Sequence, residues 1–240
     1  MLENKNILVS GGTGHLGEAI VKRCADYGAR VFFTYYKNED RAMEIYQGMA
    51  NIKGIKINLL NVPDISRRIA DLCTEIERLD VLVNNAGVSQ VMPFSLMEEE
   101  DFDLLMGVNV KGTVFLTKAV VRNMIRGRKG NVINIGSIAG HRMYDVPVHY
   151  AVSKAAIQGF TYSLASEVKR YNIRVNSVVP GLIEGGISKG IPEELKNDFI
   201  KHCATGRAGT AHEVAELVCF LASDKSGYIN GQNILVDGGI

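Results

Sequence analysis

Seven short apolar runs punctuate the chain, separated by segments in which apolar residues recur at helical spacing. The first run, NILVS at residues 6–10, passes through GGTGHLG into the helical pattern EAIVKRCADYGA, and a second run, RVFFTYY at 30–36, follows. Runs this short and rich in β-branched and aromatic residues read as strands, and the 3.6-residue periodicity between them reads as helix. The alternation continues with GIKINLL (54–60) and a helix through 64–78, DVLVNNAG (80–87) and a helix near 99–126, and NVINIGS (131–137) and a helix over 150–169. IRVNSVVPG (173–181) and NILVDGG (233–239) complete the set. Strands apolar at nearly every position are buried on both faces, which requires helices on each side of a parallel sheet. The pattern therefore predicts an α/β fold, a single-domain, doubly wound, Rossmann-type parallel sheet of seven strands. With no linker, repeat or low-complexity tract to divide it, 1–240 reads as one domain.

Ligands of such sheets lie beyond the carboxyl ends of the strands, so chemistry is expected there. At the first strand-to-helix turn, Gly12, Gly14 and Gly17 match GxGxxG. Bare backbone at such a turn can approach a pyrophosphate, and the helix N-terminus supplies donors and a positive dipole. NNAG (84–87) follows the fourth strand, Ser137 the fifth, and Pro180 and Gly181 close the sixth. Just beyond Ser137, Tyr150 stands four residues before Lys154, so both fall on one helical face. A fixed ammonium favours the phenolate and lowers a tyrosine pKa from its usual value of about 10, as proton transfer near neutral pH demands.

Composition changes this picture little. The formal charge is +1, from 27 basic and 26 acidic residues, so no long-range field invites nucleic acid or an anionic membrane. No stretch reaches the ~18 consecutive apolar residues of a membrane span. Cys24, Cys73, Cys203 and Cys219 lack CxxC spacing and read as reduced thiols, which points to a cytoplasmic protein. His141, His202 and His212 share no ligand spacing, so no metal is expected.

The glycine turn from Gly11 to Gly17, NNAG, Asn109 in NVKG, Ser137 in INIGS, YAVSK (150–154), PG (180–181) and the ending GQNILVDGG, in this order over the whole chain, resemble the short-chain dehydrogenase/reductase family. NNAGVS, MEEEDFD, NVKGTVFLTKAV and YINGQNILVDGG bring the chain nearest to reductases of 3-oxoacyl thioesters, linked to a carrier protein or to CoA, in fatty-acid synthesis. The resemblance implies that Tyr150 is the general acid and that Ser137 bonds the same carbonyl oxygen. It also implies that Lys154 lowers the tyrosine pKa and holds the nicotinamide ribose, and that Asn109 anchors a water of the proton relay. It places the dinucleotide against Gly11, Thr13, Gly14, His15, Leu16, Gly17, Tyr36, Lys37, Asn58, Asn85, Ala86, Gly87, Pro180, Gly181 and Ile183, together with Tyr150 and Lys154. Other outcomes of the same resemblance are a dehydrogenase of a sugar, steroid, cyclic alcohol or specialised-metabolite ketone, or a non-catalytic cofactor-binding regulator.

Several positions depart from the family pattern. His15 stands where the turn has its middle glycine, and either contacts the cofactor or caps the helix. Asn58 replaces an aspartate that contacts adenine, keeping an acceptor. After the second strand no acid stands where the ribose 2′-hydroxyl would need one, and Lys37 can pair with a 2′-phosphate, so NADP(H) is favoured, with Glu39 and Asp40 keeping NAD(H) open. The glycine-rich segment 182–208 resembles a substrate lid, and the family's frequent threonine is replaced near Gly185. Arg126, Arg128 and Lys129, or Lys169, Arg170 and Arg174, form candidate basic rims for an acidic carrier protein, or else solvated helix ends. His149 and Tyr144 line the pocket or pack in a loop. The family resemblance implies a homotetramer or homodimer.

Overall fold

In the computed structural model, which describes residues 1–142 and 145–240, the apolar runs form β1 (Asn6–Val9), β2 (Arg30–Tyr35), β3 (Ile52–Lys56), β4 (Val81–Asn84), β5 (Gly130–Ile135), β6 (Ile173–Pro180) and β7 (Asn233–Val236). They build one sheet in the order β3-β2-β1-β4-β5-β6-β7, every pairing parallel. The near-continuous apolar character of the strands is explained by the pleat. Ile7 and Val9, Val31 and Phe33, Val81 and Val83 point into one core, whereas the intervening Leu8, Phe32 and Leu82 point into the other.

The helices are α1 (His15–Asp26), α2 (Glu39–Tyr46), α3 (Val62–Ile76), α4 (Glu99–Met106), α5 (Thr113–Gly127), α6 (Val148–Val168), α7 (Glu193–His202) and α8 (Ala211–Ala222). α1 and α8 cover the first core through Ile20, Val21, Cys24, Val214 and Val218. α3, α5 and α6 cover the second through Ile65, Ile69, Leu116, Val120 and Ala165. The 1–240 chain is thus two layers of helix about a single sheet. One helical run, Glu99–Gly127, is long and apolar enough to cross a membrane, yet Leu116, Val120 and Met124 on it are buried in the second core.

Three details depart from the sequence expectation. The third strand runs over 52–56 rather than 54–60, because Ile52 to Lys56 pair with Val31 to Tyr35 and the chain leaves the sheet afterwards. The expected helix near 99–126 is interrupted by a π-helical turn, Gly107–Gly112, between α4 and α5. The sequence reading assigned no helix to α8, although its start carries a capping box: Thr210 Oγ1 accepts from Glu213 N at 3.2 Å and Glu213 Oε2 accepts from Thr210 N at 2.8 Å.

A chain of buried polar side chains crosses the second layer. Asn84 Nδ2 on β4 donates to Thr117 Oγ1 of α5 and to Asn134 Oδ1 of β5, both at 2.8 Å, and Asn134 Nδ2 donates to Thr161 Oγ1 of α6 at 2.8 Å. The threonines pass their protons to the carbonyls of Thr113 and Ile157 within their own helices. Replacing Asn134 with leucine keeps the branched shape but removes one partner each from Asn84 and Thr161, which retain their bonds to Thr117 and Ile157, at roughly 1–2 kcal/mol per lost partner. We expect Asn134→Leu to lower the unfolding free energy by about 2–4 kcal/mol in urea titration; an unchanged midpoint would remove this chain from the account of stability.

Candidate active site

The order β3-β2-β1-β4 reverses direction between β1 and β4, which opens a crevice at their carboxyl ends. The glycine turn lies there because small residues let backbone meet backbone. A Cβ on Gly12 would come 2.5 Å from Phe33 Cβ, and one on Gly17 2.7 Å from Asn85 Nδ2. Ser10 Oγ accepts from the N–H groups of Asn85 and Ala86, each at 3.0 Å, and Asn85 Nδ2 donates to the carbonyls of Ser10 at 2.9 Å and Gly11 at 3.1 Å. The turn and NNAG are therefore one clamped unit, and Ser10, where the family has threonine, is its hinge pin. Gly14 is the N-cap of α1 and no side chain caps it, so the first-turn N–H groups face the crevice with no side-chain acceptor. Bare approach and uncapped donors fit the diphosphate of a dinucleotide.

Half-buried Thr13 and exposed Gly14 form the lip of this turn, while the Leu16 side chain packs against the first core and Ala86 against the second, which leaves their main chain to the crevice. His15 does not cap the helix; its ring lies against Gly185 and Gly186. Asn58 Oδ1 accepts from Leu60 N at 3.0 Å, which orients the side chain and leaves the second lone pair of the oxygen as an acceptor. Beyond β2, Tyr36 and Lys37 are exposed, with the Lys37 ammonium 5.9 Å from the Tyr36 ring centroid. Glu39 is held by Lys56 at 2.9 Å, and Lys37 makes no ion pair among the described residues. Gly181 N donates to Val236 O at 2.9 Å, and Ile183 forms a parallel bridge with Gly209, so Pro180, Gly181 and Ile183 sit where the 182–208 segment leaves the sheet.

Tyr150 and Lys154 stand one turn apart on α6, with the Lys154 ammonium 5.7 Å from the Tyr150 ring centroid. Ser137 opens a short 3₁₀ turn, Ile138–Gly140, and accepts from Ala139 N at 3.2 Å. A Cβ on Gly140 would come 2.6 Å from the Lys154 carbonyl carbon, so only glycine lets this turn rest on the α6 backbone. That contact brings the Ser137 hydroxyl to the Tyr150 phenol as a donor. Lys154 Nζ donates to Ile135 O at 2.9 Å, and a Cβ on Gly87 would come 3.3 Å from Asn109 Oδ1, so the bare Cα lets NNAG rest on that amide. Asn109 lies in the π turn, a feature frequent at functional sites. Both of its amide hydrogens are used, on Val88 O at 2.9 Å and Ser153 Oγ at 3.1 Å, while its Oδ1 accepts from Val88 N at 2.8 Å. Its side chain thus fixes the strand after NNAG to α6 and has no hydrogen left for a water.

Electrostatics corrects one expectation. Burial pushes the Tyr150 phenol above its ordinary value rather than below it, with the Ser137 hydroxyl acting in the opposite direction. Burial also lowers Lys154 itself to about 8. His149 is buried and its Nε2 has no hydrogen-bond partner among the described residues, and Tyr144 lies outside them. Both basic groups lie at the far edge: Arg126, Arg128 and Lys129 lead into β5 and Lys169, Arg170 and Arg174 lead into β6 at the strands' amino ends, opposite Ser137. Arg174 is spent on the carbonyls of Ile229 and Leu221. The sequence places Asn84 in NNAG and Ser153 in YAVSK but shows no role for either side chain, and Asn134 and Gly140 belong to no local spacing that would mark them.

Residues 13–240 match the family model described as Enoyl-(Acyl carrier protein) reductase. The chain is 36% identical over 245 residues to the 3-oxoacyl-[acyl-carrier-protein] reductase FabG of Chlamydia muridarum (strain MoPn / Nigg), covering 100% of this chain and 98% of the relative. It is 36% identical over 244 residues, with the same coverage, to the protein of that name from Aquifex aeolicus (strain VF5). Among solved structures, a gluconate 5-dehydrogenase from Burkholderia cenocepacia J2315 in complex with NADP and tartrate superposes with a TM-score of 0.93 at 26% identity, over 99% of this chain and 95% of that one. A mutant Serratia marcescens short-chain dehydrogenase/reductase gives a TM-score of 0.91 at 32% identity, over 99% and 98%.

The lysine value carries a stability consequence. Its folded value, about 8, lies below the ordinary 10.5, so between these limits the unfolded chain binds more protons and stability rises with pH. Below that window the charged, buried ammonium costs about 3 kcal/mol, part of which the Ile135 bond offsets. Lys154→Met is expected to stabilise the protein by about 1–2 kcal/mol at pH 7, the gain shrinking toward pH 10. Urea titrations at both pH values check this; a variant less stable at pH 7 contradicts the cost assigned to the buried charge.

Proposed function

Because the chain belongs to the short-chain dehydrogenase/reductase family, we propose that it reduces the ketone of a 3-oxoacyl thioester to the 3-hydroxyacyl form, using NADP(H), with Tyr150 as the general acid. The observation that carries this reading is the convergence of the Ser137 hydroxyl, the Tyr150 phenol and the Lys154 ammonium at the carboxyl edge of β5, beside the glycine turn. The reduced nicotinamide, when bound, supplies the hydride. Gly11 to Gly17, Asn85 to Gly87, Lys37 and Pro180 to Ile183 are the residues that would hold it.

The work of the protein is then to receive the charge that develops on the carbonyl oxygen. Tyr150, held protonated by burial, donates its proton to that oxygen, and Ser137 donates a second hydrogen bond to it. The phenolate left behind is stabilised by the neighbouring Lys154 ammonium, whose attraction is strong because little water intervenes. A lysine with a value of about 8 remains mostly charged at pH 7 yet can pass a proton onward. Asn109 acts through position, tying Val88 to Ser153 and so the NNAG end to the tyrosine helix.

Support for an acyl substrate comes from the full-length likeness to the named reductases and from exposed apolar residues at the mouth. Val91, Phe94 and Leu96 after NNAG, and Ile187 on the 182–208 segment, offer a wall suited to an acyl chain. Val91 reaches the segment itself, lying 3.9 Å from a Cβ placed on Gly190. NADP(H) is favoured because the first cation after β2, Lys37, is free to meet a 2′-phosphate while Glu39 is occupied by Lys56. Cytoplasmic residence belongs to the same reading.

With an acetoacetyl thioester and NADPH, Tyr150→Phe should lose about 10²–10⁴-fold in kcat while cofactor binding persists; unchanged turnover would sink the assigned acid. Turnover of a keto-gluconate in place of the thioester would move the substrate to a sugar acid. Lys37→Ala should reduce kcat/KM with NADPH roughly 10–100-fold and leave NADH nearly unaffected, the loss of one charge-assisted contact. Turnover by the wild-type chain with NADH alone would reverse the cofactor preference.

A further inference from the structure

His15 is the first residue of α1, and the space over its ring is occupied by the root of the 182–208 segment. A Cβ on Gly185 would come 2.9 Å from His15 Nε2 and 3.1 Å from Cε1, and one on Gly186 3.1 Å from His15 Cβ. Both glycines have positive φ, +79° and +58°, so the backbone here takes a path other residues rarely adopt and presents bare peptide to the imidazole. A ring stands on the phosphate turn, and the two residues of the segment that face it, Gly185 and Gly186, carry no side chain.

The root itself is built firmly. Glu184 N donates to Gly209 O and Gly209 N to Leu182 O, each at 2.9 Å, and the Ser188 hydroxyl donates to Gly185 O at 2.6 Å and also to Ile183 O. Beyond it, no residue of the 186–190 turn or of α7 is buried, and the segment is held again at its far end, where Thr205 N donates to Gly238 O at 3.1 Å. The His15 contact at the root is where the segment meets the phosphate turn.

We infer that His15 is a positioning residue that latches the root of the 182–208 segment onto the phosphate turn and thereby sets how long a bound dinucleotide stays. The latch rests on the reading that this turn holds a nicotinamide dinucleotide. A ring fixed between helix and root keeps the exit over the diphosphate narrow; removing it leaves two glycines facing open space.

The test uses the full chain with His15→Gly and, as the shape-preserving variant, His15→Phe. Dissociation of NADPH is followed by stopped-flow fluorescence, and cutting at Lys189, Lys196 and Lys201 by limited trypsin digestion, with and without NADPH. His15→Gly should release NADPH about tenfold faster, equivalent to about 1.4 kcal/mol, and lose the protection that NADPH gives these lysines, with an unchanged melting temperature of the cofactor-free chain. His15→Phe should keep most of the protection. Release and protection equal to wild type in His15→Gly would overturn the latch. If the wild-type chain binds neither NADPH nor NADH, the dinucleotide reading fails on its own. The contact is then judged by digestion of the cofactor-free chain, where His15→Gly must be cut severalfold faster, and equal rates overturn it.

Discussion

The hydrogen-bond chain from Thr117 through Asn84 and Asn134 to Thr161 links α5, β4, β5 and α6 inside a layer that otherwise excludes water. An amide N–H buried without an acceptor is costly, so these four elements approach in the register that gives the Asn84 and Asn134 amide nitrogens their acceptors. The functional groups hang from their ends. NNAG follows β4, Ser137 follows β5, Tyr150 and Lys154 stand on α6, and Asn109 lies in the π turn that leads into α5. A slip of one residue in any strand would break the chain and turn the site residues away together.

Against that fixed frame the site places groups that a fold optimised for stability would avoid. Lys154 buries an ammonium with a carbonyl for company, and Tyr150 sits where burial resists its ionisation. Each is unfavourable alone. Side by side they become useful, since ionising the phenol beside the ammonium converts two isolated costs into one attraction. Stability lost in the resting chain is thus recovered only as charge moves, which is the condition for favouring a transition state over the bound ketone.

Close approach of bare backbone is the other device, and it recurs around the crevice. Gly17 meets Asn85, Gly140 meets the α6 backbone, and Gly185 meets the His15 ring. The first two bring the phosphate turn and the serine loop to their partners; the third joins the turn to the segment over the site. Glycine here trades conformational entropy for distance where functional elements converge.

By itself the sequence determined the alternation of strands and helices, the parallel sheet buried on both faces, and the order of the chemical groups along the strand ends. Those signals are local: a period of 2 or 3.6 residues, a glycine turn between strand and helix, and a tyrosine and lysine four apart. Tertiary structure alone decided that Asn84 and Asn134 join, that Ser137 meets Tyr150 through Gly140, and that Asn58 and Asn109 are bonded to backbone partners. It also decided that burial raises the tyrosine above its ordinary value, that the basic clusters lie at the far edge, and that His15 faces Gly185 rather than capping its helix. Spacing reports which residues share a face within a turn or two of chain, whereas desolvation and contacts between distant segments arise only once the two cores have closed over the sheet.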